Sequence, residues 1–282
     1  MDTAGQTRTL GSIDSHISVA SNFTLACEDL INWIKLVDLK KEQIISISAS
    51  ETSTYDADAV LVLTYRTEQE PSMASLAQIQ FELLKNVVDW KDQYAEIQRT
   101  VLGQNVEVLS LTHTARNIGQ INIQILWYIP SLTPNQYTCK HFTNFGDLQG
   151  LLGESLQYCN TYVAPHNLVS LSVFEDDHPC PKQHYHVVVY HKGITTKPLE
   201  KPADIQGDLY SLREVRADGW EEVNDQALDI MERQGTEQTR FTTSTYNCSE
   251  HDQKAVAILS WSKIHEDTLN DLGRGGCNCA IF

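Results

Sequence analysis

Residues 44–65 read IISISASETSTYDADAVLVLTY. Two β-branched runs flank a polar stretch rich in turn formers, and that arrangement predicts a β-hairpin. Successive strand residues point to opposite faces, so Ala59, Leu61, Leu63 and Tyr65 share one side. The same design returns as VLSLTHTARNIGQINIQILW at 108–127, LVSLSVFEDDHPCPKQHYHVVVY at 168–190 and FTTSTYNCSEHDQKAVAILSW at 241–261. Each copy carries a mid-strand hydroxyl (Ser46, Ser110, Ser170, Thr243) and closes on an aromatic residue (Tyr65, Trp127, Tyr190, Trp261). Subtracting positions, the aromatics lie 62, 63 and 71 residues apart and the hydroxyls 64, 60 and 73. Two markers with nearly one period indicate a fourfold internal repeat.

Working outward, a helical period precedes each hairpin. Residues 23–37 place Phe23, Leu30, Ile34 and Val37 near one stripe. Residues 74–99 do the same with Leu76, Ile79, Leu83, Val87, Tyr94 and Ile97; 145–158 with Leu148, Leu151, Leu152 and Leu156; 219–233 with Trp220, Val223, Ala227 and Ile230. The chain therefore reads as an α+β protein of four αββ repeat-like units, forming antiparallel sheet with helices packed on one face. Eight strands could build one continuous sheet, or two sheets of four. The expected organisation is a flexible N-terminus at 1–20, a first pair of units at 21–132, a second pair at 133–266, and a flexible tail at 267–282. The Pro-containing stretch 193–211 reads as a loop or short linker.

Composition narrows the partners. Acids number 37 against 21 bases, for a formal charge of −16. A field of that sign repels phosphate backbones, and no basic patch offsets it, so nucleic-acid binding is not expected. The opening MDTAGQTRTLGSIDSHISVASNF has neither a basic segment nor an apolar core and does not read as a secretory signal. Asp2 excludes N-myristoylation. Seven scattered cysteines suit a reducing compartment.

The familiar catalytic motifs are absent from the sequence. There is no G-x-S-x-G turn, no Walker lysine loop and no Gly-rich dinucleotide turn. The acidic runs Glu175-Asp176-Asp177 and Glu221-Glu222 lack the spacing of a calcium loop and read as solvated charge. Cys139 and His141 lie close in sequence, which is poor grounds for a catalytic dyad. The densest set of metal-competent donors is HPCPKQHYH at 178–186: His178, Cys180, His184 and His186. Zinc is the metal such a set would take, although the spacing matches no standard zinc signature. No other cofactor is expected.

The chain closes on GRGGCNCAIF, residues 273–282. Cys279-Ala280-Ile281-Phe282 fits the C-a-a-X prenylation pattern, and a terminal Phe favours geranylgeranyl. One lipid chain gives only marginal attachment, and stable anchoring takes a second signal. Arg274 is the only base among the last ten residues, so Cys277 is the natural second site, as an S-acyl (palmitate) acceptor. These residues, under a twentieth of the chain, resemble the C-terminal motifs of prenylated proteins such as small GTPases, but the GTPase phosphate loop is missing.

The resulting expectation is a non-enzymatic binding or scaffold protein, tethered by prenylation to the cytoplasmic face of a membrane if the source is eukaryotic and cytoplasmic otherwise. Its partners would be the membrane and a protein. Two alternatives remain: an enzyme, metal-dependent through the His178–His186 cluster, and a structural protein whose repeated units self-assemble.

Overall fold

The computed structural model describes residues 13–51, 59–67, 76, 78–85, 105–116, 121–176, 183–193, 197–203, 205–234, 238–248 and 253–274. The four expected hairpins are present. They are β2 (Ile44–Glu51) with β3 (Ala59–Arg66), β5 (Val106–Arg116) with β6 (Ile121–Pro130), β8 (Leu168–Asp176) with β9 (His184–Lys192), and β11 (Thr239–Cys248) with β12 (Gln253–Ser262).

Each hairpin gains a third strand that the sequence reading lacked. β1 (Ile13–Ala20), β4 (Gln80–Lys85), β7 (Tyr137–Phe145) and β10 (Tyr210–Ala217) pair antiparallel with β3, β6, β9 and β12. The result is four three-stranded antiparallel sheets with one topology: β1-β3-β2, β4-β6-β5, β7-β9-β8 and β10-β12-β11. The α+β class and the fourfold repeat hold. The strand count and the sheet division do not: among the described residues, twelve strands in four sheets replace eight strands in one or two.

Three expected boundaries shift with the added strands. Residues 13–20 are strand and not part of a free N-terminus. Residues 210–217, partly read as linker, form β10. Residues 80–85 are strand, inside a stretch expected to be helical. Ile79 and Leu83 are four apart, which satisfies a helix, but Ile79, Phe81 and Leu83 also alternate, and cross-strand pairing of Phe81 with Trp127 and Leu83 with Ile125 decides between them. Val87, Tyr94 and Ile97 lie outside the described residues.

Among the described residues the helices are α1 (Phe23–Leu36), α2 (Leu148–Tyr162), α3 (Trp220–Gln234) and α4 (Lys263–Arg274). The Asn22 side chain caps α1 by accepting from the Leu25 amide at 3.0 Å, and Asp147 caps α2 by accepting from Gly150 at 2.8 Å. α4 carries the chain to Arg274, so the expected flexible tail is helical over its first part. No helix among the described residues is long and apolar enough to cross a membrane.

The strands β2, β5, β8 and β11 are the inner strands, and each is the edge of its own sheet. They neighbour one another in a closed cycle, β2 to β5 to β8 to β11 and back to β2. An edge strand presents backbone N–H and C=O groups that must find partners when buried. Here the mid-strand hydroxyls provide them. Ser110 Oγ donates to the Ile47 carbonyl at 2.8 Å. Ser170 Oγ accepts from the Leu111 amide at 3.1 Å and donates to its carbonyl at 3.0 Å. Ser172 Oγ accepts from the His113 amide at 3.3 Å, and Ser244 Oγ accepts from the Val173 amide at 2.8 Å. Ser46 meets Thr243 at 2.5 Å and Ser48 meets Thr245 at 2.9 Å, closing the cycle. The matched pairs 46/243 and 48/245, like 170/111 and 172/113, advance together, so these neighbours run parallel.

In three hairpins the register slips just before the hydroxyl, between Ile44 and Ser46, Val108 and Ser110, and Leu168 and Ser170. A bulge bends and twists its strand, here at the point where each inner strand turns its hydroxyl toward the next unit. The fourth hairpin keeps an unbroken register.

Helices fill the spaces between sheets. α1 lies between the first and second sheets, burying Phe23, Ala26, Cys27, Leu30 and Ile34 against Leu61 and Leu63 on one side and Ile125 and Trp127 on the other. α2 shares a core with the third and fourth sheets. α3 packs on the fourth sheet in a cluster that also takes in Ile13 and Ile45 of the first.

Candidate functional site

The space between the second and third sheets has a different character. By the strand register, His141, Thr143 and Phe145 of β7 share a face with Val188, His186 and His184 of β9 and with Ser172 and Phe174 of β8. That face looks toward β5, where His113 lies 5.8 Å from Phe174, ring to ring and stacked. Phe174 in turn stacks on His186 at 4.6 Å. Four imidazoles, His113, His141, His184 and His186, thus occupy one inter-sheet space.

Three of them form a chain. His141 Nε2 lies 2.9 Å from His186 Nδ1, and His186 Nε2 lies 3.1 Å from His184 Nδ1. A neutral imidazole has one N–H and one lone pair, so both hydrogen bonds of the chain point in the same direction along it. Aromatic neighbours set the ring planes. Phe145 stacks on His184 at 4.2 Å, and His141 stacks on His186 at 5.1 Å. His186 and His113 are each 2% exposed, while His184 is half-buried and forms the rim.

Burial keeps the inner rings neutral. Desolvation, aided by the neighbouring imidazoles, lowers His186 to about 2, His113 to about 3 and His141 to about 4. Each therefore presents a lone pair at neutral pH. Cys139, two residues before His141 on β7, is pushed up to about 12 by burial alone. A thiol so held is a poor nucleophile, which speaks against Cys139 and His141 as a catalytic dyad.

Other polar groups ring the space. Gln124 pairs with His113 across β5 and β6 and is buried, and among the described residues its Oε1 has no partner. At the start of the inner strands Glu107 bridges Lys41 at 2.7 Å and Lys192 at 3.2 Å, linking the first three units. Burial alone would raise the Glu107 carboxyl, but the two ammonium groups hold it below the usual range.

Of the donors expected from sequence, His184 and His186 are brought into this chain. His178 and Cys180 lie outside the described residues, as do Cys277 and Cys279. His113 was not foreseen, and His141 was considered only beside Cys139. His141 sits on a strand whose alternation is weak, and His113 is a single histidine between Thr112 and Thr114, with no spacing to tie either to residues 184–186. Among the described residues, no three ligating groups already surround one point. No known protein family, no characterised protein and no solved structure matches the chain.

Proposed function

We propose that this chain is a non-enzymatic binding or scaffold protein, held on the cytoplasmic face of a eukaryotic membrane by a prenyl group on Cys279. The observation that carries this reading is the sequence Cys279-Ala280-Ile281-Phe282, a cysteine followed by two aliphatic residues and a phenylalanine. Cys277 supplies the second attachment as an S-acyl site, because a single lipid holds only marginally and the last ten residues offer one base, Arg274. The binding surface is the outside of the four-unit body. Its inner strands are consumed by contacts between units, so the outer strands and helices are what a protein partner would meet. The reading takes Phe282 as the free carboxyl end.

Mass spectrometry of the native C-terminus tests it. The expected product ends at a prenylated, carboxymethylated Cys279. An intact, unmodified Phe282 would refute it. Cell fractionation gives a second arm: Cys279→Ser should move the protein from the membrane to the soluble fraction, and Cys277→Ser should weaken retention without abolishing it.

A further inference from the structure

We propose that the end of the body at which the inner strands begin lies against the cytoplasmic leaflet, with Leu36, Leu132 and Ile264 inserted among the lipid headgroups, an arrangement that depends on the prenyl anchor at Cys279. Polar contacts tie the four units together at this end. Glu107, at the start of β5, joins Lys41, just before β2, to Lys192, the last residue of β9. Arg66 Nη2, at the end of β3, donates to the Thr239 carbonyl at the start of β11 at 3.0 Å. Three units present large apolar side chains to solvent here. Leu36 closes α1 and is 83% exposed, with the exposed Val37 beside it. Leu132 is 99% exposed, and the neighbouring Ser131 amide donates to the carbonyl of Asn105, the residue before β5, at 2.8 Å. Ile264 is exposed at the start of α4, where the Lys263 amide donates to the Gln238 carbonyl just before β11. Apolar residues exposed together among polar ones mark a protein or membrane contact.

The path of the chain selects the membrane. α4 starts beside β11, packs on Pro165–Asn167 just before β8, and buries Leu269 in the core of the third and fourth units, so it runs across this end. Arg274 is its last residue, and Cys279 lies five residues further on. Five residues span at most about 18 Å. The shortest inner strand, β2, has eight residues and a length of about 26 Å. A lipid on Cys279 therefore brings this end, and not the opposite one, to the bilayer. Charge favours the same orientation. At the start of the inner strands Lys40, Lys41 and Lys192 pair with Asp38 and Glu107. The opposite end carries Asp147, Asp218, Glu221 and Glu222 where α2 and α3 begin. An anionic leaflet repels that second end more strongly. One lipid chain holds only marginally, and each inserted apolar side chain adds affinity in proportion to the area it buries.

The test is binding of the prenylated full chain to vesicles of phosphatidylcholine and phosphatidylserine, read by co-sedimentation. Leu36→Asp and Leu132→Asp should each weaken binding by about fivefold to tenfold. Val19→Asp and Leu25→Asp, exposed at the opposite end, should leave it unchanged. All four side chains are exposed, so the variants should melt with the parent. Hydrogen exchange gives a second measure: vesicles should slow exchange at residues 131–136 and in the first turn of α4, and leave the first turn of α1 as it was. A native C-terminus without a prenyl group would overturn the anchor and this orientation with it. A prenylated chain whose vesicle binding survives both Leu36→Asp and Leu132→Asp would overturn the orientation alone. If those two variants bind vesicles fully but lose retention at cell membranes, the face belongs to a protein partner and the proposal fails.

Discussion

The space between the first and second sheets and the space between the second and third are framed by the same hairpin design, yet only the second adds a cluster of imidazoles to its apolar filling. The first is apolar throughout its centre. α1 presses Leu30 and Ile34 between Leu61 and Leu63 of one sheet and Ile125 and Trp127 of the next. The second is apolar at one end, where Leu111 and Leu126 meet Tyr137 and Tyr190, and at the other it is lined by His113, Gln124, His141, His184 and His186. A repeat that needed only to pack could have used aliphatic residues in both places. The difference teaches that the repeat specifies the frame, and that the frame tolerates a polar filling where imidazoles bond to one another.

The largest effect should come from breaking the apolar side. Trp127 is fully buried, and Trp127→Ala should cost about 3–5 kcal/mol in chemical denaturation. Its indole nitrogen has no partner, so Trp127→Phe should cost distinctly less. A loss as large for Phe as for Ala would show that shape, and not apolar burial, governs that space.

Next comes the seam shared by the second and third sheets. Ser170→Ala would leave the buried Leu111 amide without its acceptor and take one of two donors from the Leu111 carbonyl. An orphaned buried group costs about 1–3 kcal/mol, so a loss of about that size is expected from equilibrium unfolding. Asn160 offers a parallel case between the third and fourth units. Its Oδ1 accepts from the Leu209 and Tyr210 amides at 2.7 and 3.0 Å, and Asn160→Ala should destabilise by a similar amount. A neutral result at both positions would mean that water or rearranged backbone replaces the hydroxyl and amide contacts.

The smallest effect is expected at Gln124, whose buried Oε1 lacks a partner. Gln124→Met keeps the length and removes the unsatisfied oxygen. Stability should change by less than about 1 kcal/mol, or rise. A marked loss would reveal that the amide holds the histidines in place.

Much of the frame was legible in the sequence because hairpins announce themselves twice, by alternation and by the turn residues between the runs. The recurring hydroxyls at Ser46, Ser110, Ser170 and Thr243 were visible as a pattern, but their purpose was not. Only the fold shows Ser46 meeting Thr243 and Ser170 meeting Leu111, contacts between units remote in sequence. The outer strands were missed for a physical reason. β1, β7 and β10 lie at sheet edges, half-buried on both faces, so their hydrophobic alternation is faint. Two of the four clustered histidines were legible because His184 and His186 are two residues apart. His141 joins them from another strand and His113 from another unit, and no linear spacing records either.

The contrast between the two spaces rests on the imidazoles being held neutral, and pH tests that most directly. Folded His113, His141 and His186 resist protonation down to about 3, 4 and 2, whereas in an unfolded chain they would titrate near 6.5. Below 6.5 the unfolded chain therefore binds more protons, so stability is fully present above that pH and falls as pH drops toward the folded values. The decisive measurement is native-state hydrogen exchange at pH 7.5 and pH 5.0, corrected for intrinsic rates. Protection of β5, β7 and β8 should fall at pH 5.0 while that of β3 and α1 is retained, and the triple variant His113→Gln, His141→Gln, His186→Gln should lose the difference. Equal loss in both regions, or a loss that the triple variant retains, would contradict the account.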